Sequence, residues 1–395
     1  MPIADHPVAS QLPKPSPILA ALADPDKFQA LSHCPSSPKS LDEYLHSDDS
    51  QLGLHIVSFT NATAVSLQWP HTLFDGMGKM ALLDAWTLML QGRYDEVPLT
   101  YAVDSDPLAE LGRHPTEPHK LSERLMSFFD LVSYGFRNIY ELCSISKLQR
   151  RIICVPASFL ASLREAALQE LTFNNQDEQP PFLSEGDVLC ALWARLSTAH
   201  LPTDSNRLVA LNNGHSLRPA LSEDLLHSSS IYISNAIQTI TVLLKAADIL
   251  NKPLGFVAWQ IRQSIEEFRQ RRQVEAFAAL WRASRYKILP VFGNSAMYVV
   301  SCSNWTKAKL FETDFSAAVI KHGASASKPL SRVGRPSYVN HGRFGPPGLL
   351  GPSLLVIIGK DAEGNYWLDG SADKNYWYNI EKMLAEACEG LDSAA

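Results

Sequence analysis

Long apolar runs are absent from this chain of 395 residues: none approaches the ~18 consecutive apolar residues of a membrane helix, so no bilayer span is read. The N-terminus has neither a basic start nor a continuous apolar stretch, so no secretory signal is read there. Positive charge is also short. Lys and Arg number 35 against 41 Asp and Glu, and a net charge of -6 offers no basic field to nucleic acid. The densest cationic cluster, Arg262, Arg269, Arg271 and Arg272, reads as a solvated helix face. The six cysteines, at 34, 143, 154, 190, 302 and 388, form no Cys-x-x-Cys pair and no metal-ligand spacing with His. No metal site is expected. Core thiols in a reducing compartment are, and with them a cytoplasmic location. What is present is apolar mass: 46% of the residues can bury a substantial core, enough for two domains.

One stretch carries chemistry. In Ala64–Gly78, Val65, Leu67 and Trp69 alternate with smaller or polar residues, which is strand periodicity. Pro70 has no N–H for a sheet ladder and should end the strand. Gly76 and Gly78 then open an apolar-rich run that stops at Gly92, as a helix does before a C-terminal glycine. His71 therefore sits between a strand and a helix, on the kind of supported loop where catalytic side chains collect. Spacing alone decides little, because His-x-x-x-Asp also occurs at His200/Asp204, within a turn-like stretch that reads as a linker. A catalytic loop and a structured turn remain equally compatible with the first match.

The segment Trp69–Gly78 resembles the His-x-x-x-Asp-Gly motif of the BAHD acyltransferases, especially their fungal branch. Further stretches follow in the family's order. Phe182–Trp193 is similar to the helix closing the first domain, and Arg218 in Gly214–Pro219 to the family's central arginine. Tyr232-Ile233-Ser234-Asn235 stands where the family has Tyr-Phe-Gly-Asn. Ser303-Asn304-Trp305 and then Asp314-Phe315-Ser316 resemble the Ser/Thr-Ser-Trp and Asp-Phe-Gly-Trp motifs, the latter without its Gly and Trp. The resemblance spans roughly residues 50 to 385.

It implies an α/β, two-domain chloramphenicol-acetyltransferase-like fold with mixed sheets flanked by helices and an active-site tunnel between the domains. It also implies acyl transfer from acyl-CoA, acetyl-CoA first, to a hydroxyl of a small secondary metabolite in a direct ternary-complex reaction. No permanently bound cofactor and no partner beyond the two substrates is expected, and the chain is expected to be a monomer. His71 becomes the general base. Ser303 and Trp305, with Gly76, Tyr232 and Asn235, fall to the oxyanion site and tunnel. Asp75, Arg218 and Asp314 become structural, with Asp75 turned away from His71 toward Arg218. Lys328, Arg332 and Arg335, in the stretch that also holds Lys321, are the candidate cations for the CoA phosphates. Two other readings stand beside this one: a silent homologue that binds CoA or a metabolite, and a condensation- or carnitine-type transferase.

The expected division is an N-terminal domain over 1–200, a linker at 201–206 and a C-terminal domain over 207–395. Residues 1–38 lack apolar periodicity and read as irregular, so the family's opening segment looks missing and the strands near His71 should have an uncovered edge. Leu54, Ile56 and Ser58 read as a strand paired with Val65–Trp69. Leu121–Leu148 reads as a helix packed on the core through its many apolar residues. Strands are expected near 151–155, 207–212, 297–301, 353–358 and 366–368. Helices are expected at 157–171 and after Pro253, where the apolar residues fall on one stripe.

Overall fold

The computed structural model describes residues 1–34, 37–102, 104–144, 148–172, 181–227, 229–285, 287–319, 333–342 and 353–392. In chain order the strands are β1 (Ala20–Ala23), β2 (Gly53–Ser58), β3 (Thr63–Gln68), β4 (Leu148–Val155), β5 (Leu208–Ser216), β6 (Ile237–Lys245), β7 (Tyr298–Asn304), β8 (Ser353–Lys360) and β9 (Tyr366–Asp373). Seven of them form one mixed sheet in the order β1-β4-β9-β8-β7-β5-β6, and β2 with β3 forms a separate hairpin. Within the large sheet, β5 runs parallel to β7 and β7 to β8, while the other neighbours are antiparallel.

Both faces of the large sheet are covered, which is why its strands lack an apolar–polar alternation. Leu355 and Ile357 of β8 face one cluster, and Leu354, Val356 and Ile358 face the other. The helices are α1 (Gln29–Ser32), α2 (Leu41–Leu45), α3 (Gly76–Leu90), α4 (Phe128–Ser144), α5 (Ala157–Thr172), α6 (Glu185–Thr198), α7 (Ala246–Asn251), α8 (Leu254–Phe268), α9 (Arg271–Ala283) and α10 (Lys374–Asp392). The larger cluster gathers residues of α5, α6, α8 and α10, with Trp193 of α6 at 1% exposure near its centre. Met80 and Leu83 of α3 pack against the opposite cluster. Ser184 begins α6 with a capping box to Asp187.

Several expectations need correcting. Residues 1–34 are largely irregular, as expected, yet they are not detached: β1 pairs with β4, and Leu19, Phe28 and Leu31 are buried. Phe28 and Leu31 lie one helical turn apart but Leu19 stands alone, so no sustained period marks them in the sequence. The turn at 201–206 does not divide the sheet, because β4 from before it pairs with β9 from after it. The hairpin forms as expected, with Ile56 opposite Val65, and Leu54 and Ile56 stay exposed on its outer face. Helix α4 touches the core through Leu131 and Tyr134, while Phe128, Phe129, Phe136 and Ile139 remain exposed. The arginine cluster is solvated in part: Arg269 and Arg272 are exposed and ion-paired, Arg269 with Glu266, but Arg262 is not solvated. Arg262 is largely buried against Asp187 and Ser184, Arg271 pairs with Asp224 and Glu275, and Arg272 with Glu117. Cys154, Cys190 and Cys302 are buried free thiols, and Cys34 is half-buried. Among the described residues no helix is long and apolar enough to cross a membrane.

Candidate active site

The loop from β3 to α3 is held at several points, and each is a consequence of a particular residue. Pro70 ends β3, and its carbonyl accepts from Leu73 N at 2.9 Å to close a turn at His71. The Trp69 indole donates to the Phe74 carbonyl at 3.2 Å, and the two rings lie 4.7 Å apart. Asp75 caps α3, its Oδ1 accepting from Met77 N and Gly78 N at 3.0 Å each. Asn235 Nδ2 donates to the His71 carbonyl at 2.8 Å and to that of Thr72 at 3.3 Å. Its Oδ1 is buried with no hydrogen-bond partner among the described residues. The His71 residue itself is exposed and lines a cavity of about 3450 Å³.

Asp75 is saturated elsewhere. Its Oδ2 accepts from Arg218 Nη1 at 2.9 Å and from Ala236 N at 2.9 Å, and the residue is only 2% exposed. Arg218 is fixed in turn by the carbonyls of Tyr232 and Ser234 at 2.7–3.1 Å. Tyr232 therefore acts through its backbone, its ring packing edge-on against Tyr101. Parallel pairing explains how distant segments meet here. Gly214 of β5 is in register with Ser303 of β7, so Arg218 and Trp305 leave neighbouring strand ends toward the same rim. Ligand sites in open α/β sheets favour such carboxyl ends.

Close backbone approach explains one of the two glycines. A Cβ at Gly78 would sit 1.9 Å from the Ile233 carbonyl oxygen, whereas one at Gly76 would meet Trp305 Cδ1 at 3.7 Å, an ordinary contact. Gly78→Ala is accordingly expected to destabilise the fold by about 1–3 kcal/mol, as overpacking does, and Gly76→Ala to be tolerated. Paired thermal melts of the two variants check this; equal melting temperatures would contradict it.

Across the cavity, Trp305 Nε1 donates to Ser303 Oγ at 2.9 Å. A hydroxyl that accepts from an indole still has its own proton to give. Lys79, which spacing did not single out, lies with its Nζ 3.8 Å from the centroid of the Trp305 ring. Its residue is 7% exposed, and burial pulls the amine down to about 7. His341 meets the same indole edge-on at 5.0 Å and reaches Asp369, which also binds Arg150. Only a side-chain size and charge pattern inconsistent with an apolar helix face, Lys79 between Gly78 and Met80, could have flagged this group in the sequence.

The remaining candidates divide. Asp314 Oδ1 accepts from Ser316 N at 2.9 Å, and bonds from Ser316 hold its carboxyl below the ordinary range. Phe315 packs edge-on against Trp86 of α3 at 5.1 Å, so this loop is anchored without the motif's Gly and Trp. Arg335 lines the cavity and lies 3.7 Å from Asp314. Lys321, Lys328 and Arg332 fall outside the described residues. His215 lines the cavity, and burial, with Lys307, Arg269 and Arg262 nearby, pushes it down to about 4. His200 stacks on Tyr376 at 4.0 Å, remote from the loop's anchors. Among the described residues no His/Cys/Asp/Glu group suits a metal ion.

Comparison with known proteins gives the same family that the motif order suggests. The family model described as Transferase family matches residues 48–319, a span holding His71, Arg218, Asn235 and Trp305. The acetyltransferase adrJ of Penicillium rubens is 35% identical over 388 residues, covering 97% of this chain and 78% of its own length. A Penicillium decumbens relative named transcriptional regulator calD is 38% identical over 387 residues, with 97% and 78% covered. In fold, the chain is similar to F. sporotrichioides TRI101, crystallised with coenzyme A and T-2: the TM-score is 0.60 at 17% identity, over 84% of this chain and 67% of that one. On the extent of the family match and the identity to these relatives, the chain belongs to the Transferase family and is an acyltransferase of the BAHD group.

Proposed function

We propose that this chain transfers an acyl group, acetyl first among candidates, from acyl-CoA to a hydroxyl of a small secondary metabolite, as a cytoplasmic monomer with His71 as the general base. An alcohol is too weak an acid to attack at neutral pH unless a base takes its proton as the C–O bond forms. The imidazole of His71 accepts that proton, and Ser303 donates to the oxyanion of the tetrahedral intermediate. Collapse breaks the C–S bond, and the departing thiolate recovers the proton from the imidazolium. No covalent enzyme intermediate is needed.

The observation that carries this reading is the commitment of Asp75. With its oxygens held by Met77 N, Gly78 N, Ala236 N and Arg218, it organises the loop and leaves His71 to work as an unassisted base. Lys307 and Arg335 line the cavity and are the described cations assigned here to the CoA phosphates, with Lys328 and Arg332 as the further candidates. Names of relatives support acyl transfer, acetyltransferase adrJ among them. A second reading, binding without turnover, draws on the regulator name carried by calD. Thiol release from acetyl-CoA with a panel of alcohols separates the two. Release that depends on an alcohol supports transfer; CoA binding without release across the panel favours the binder.

A further inference from the structure

The cavity also holds a charge-bearing side chain that acyl transfer leaves unused. Lys79 lies in the first turn of α3 and is buried, with the Trp305 face 3.8 Å and the Trp69 ring centroid 6.0 Å from its Nζ. Both indoles and the lysine line the cavity. An ammonium has three protons to donate, and indole faces attract its charge without taking those protons as a carboxylate would. Among the described residues, Lys79 Nζ has no hydrogen-bond or ion-pair partner. The neighbouring carboxylates are committed, Asp75 to Arg218 and three backbone N–H groups, Asp369 to Arg150 and His341.

Three physical terms oppose a cation in this place. Burial removes its water, no carboxylate among the described residues compensates it, and the positive end of the α3 dipole lies in the same turn. The amine sits at about 7 for the first of these reasons, so it is poised to take a proton when an anion arrives. Trp305 links it to the reacting end of the cavity through the Ser303 hydroxyl. The pantetheine arm keeps the CoA phosphates away from that end, which points to a carboxylate.

We infer that Lys79 is a carboxylate-binding residue of the reaction cavity, holding an acid carried by the acceptor alcohol or by the acyl group of the thioester. The inference rests on the acyl-transfer reading for its substrates, but its test does not depend on His71 being the base.

The test compares the wild-type chain with K79M, K79R and H71A by tryptophan fluorescence, since Trp69 and Trp305 flank the amine. One probe pair is ω-hydroxyoctanoate and its methyl ester. The other is malonyl-CoA and acetyl-CoA, followed also by thiol release. The expected result is a preference of about tenfold or more for an acidic probe, lost in K79M and largely kept in K79R. Loss in the first pair assigns the acid to the acceptor; loss in the second assigns it to the acyl group. H71A should keep the preference while losing turnover, so an error in the base and an error in the lysine give different results. Absence of any acidic preference in the wild type, or the same preference in K79M, overturns the inference.

Unfolding is separable from lost binding. A lysine whose folded-state pKa of about 7 lies below its ordinary value of 10.5 lowers stability fully at pH below 7, and progressively less as pH rises toward 10.5. K79M should therefore melt at or above the wild-type temperature at neutral pH. A variant that melts lower is replaced by K79Q in the same comparison.

Discussion

Replacing His71 by alanine is expected to lower kcat for acyl transfer by about 10²–10⁴, the usual contribution of a positioned base. CoA binding and melting temperature should stay near wild type. The reason is local. The loop is held through the His71 carbonyl by Asn235, through the Trp69–Phe74 contact and through the Asp75 cap, and none of these uses the imidazole. Steady-state thiol release, equilibrium CoA binding and a thermal melt of H71A check the three parts. Turnover at the wild-type rate would remove His71 from the role of base.

The second large effect is on stability. Asp75→Asn and Arg218→Gln should each destabilise the protein by about 3–5 kcal/mol, the penalty for leaving one member of a buried charge pair without the other. Asp75 is 2% exposed and accepts from two helix N–H groups, the Ala236 N–H and Arg218, so an amide in its place would aim its own protons at donors. Arg218 without its charge leaves the carbonyls of Tyr232 and Ser234 lacking their shared donor. The double variant should lose less than the sum of the singles, because each single already breaks the same pair. Denaturant titrations of the three variants supply the cycle, and strict additivity would contradict the coupling. Activity is expected to fall in all three through movement of His71, which a loss of stability with unchanged kcat would refute.

The contrast between these two experiments follows from where each group sits. In the proposed reaction His71 contributes chemistry and little structure, whereas Asp75 is committed to the loop, to Arg218 and to Ala236. The His-x-x-x-Asp spacing alone does not reveal that difference; the family resemblance implied it, and the pair with Arg218 agrees with that expectation. Asp75 is four positions from a histidine and looks like the orienting acid of a triad. In three dimensions its lone pairs are taken by α3 and by Arg218, which lies 2.9 Å away across 143 residues of chain.

Local signals sufficed wherever the cause was local. β3 stopped just before Pro70, and Gly92 at φ +74 followed the last turn of α3. The pairing of β2 with β3 was legible because each strand alternates over a short turn, while the register itself came from the structure. Illegible were the elements whose partners are remote. β1 is four residues of Ala-Ala-Leu-Ala with no period of its own, and becomes a strand because β4 offers an unpaired edge. β6 and α9 escaped notice because β6, although the edge strand, buries most of its side chains and shows no clean alternation, and α9 spreads its apolar residues among paired arginines.

The sequence by itself determined the family, the order of its motifs and the loop that presents His71, since these depend on residue identity and short-range backbone preference. Only the tertiary structure decided that β1 joins the main sheet, that Arg262 of α8 is buried against Asp187, and that Lys79 is a buried amine beside Trp305. Burial and charge compensation depend on what arrives from the far side of a cavity, and no local spacing records that.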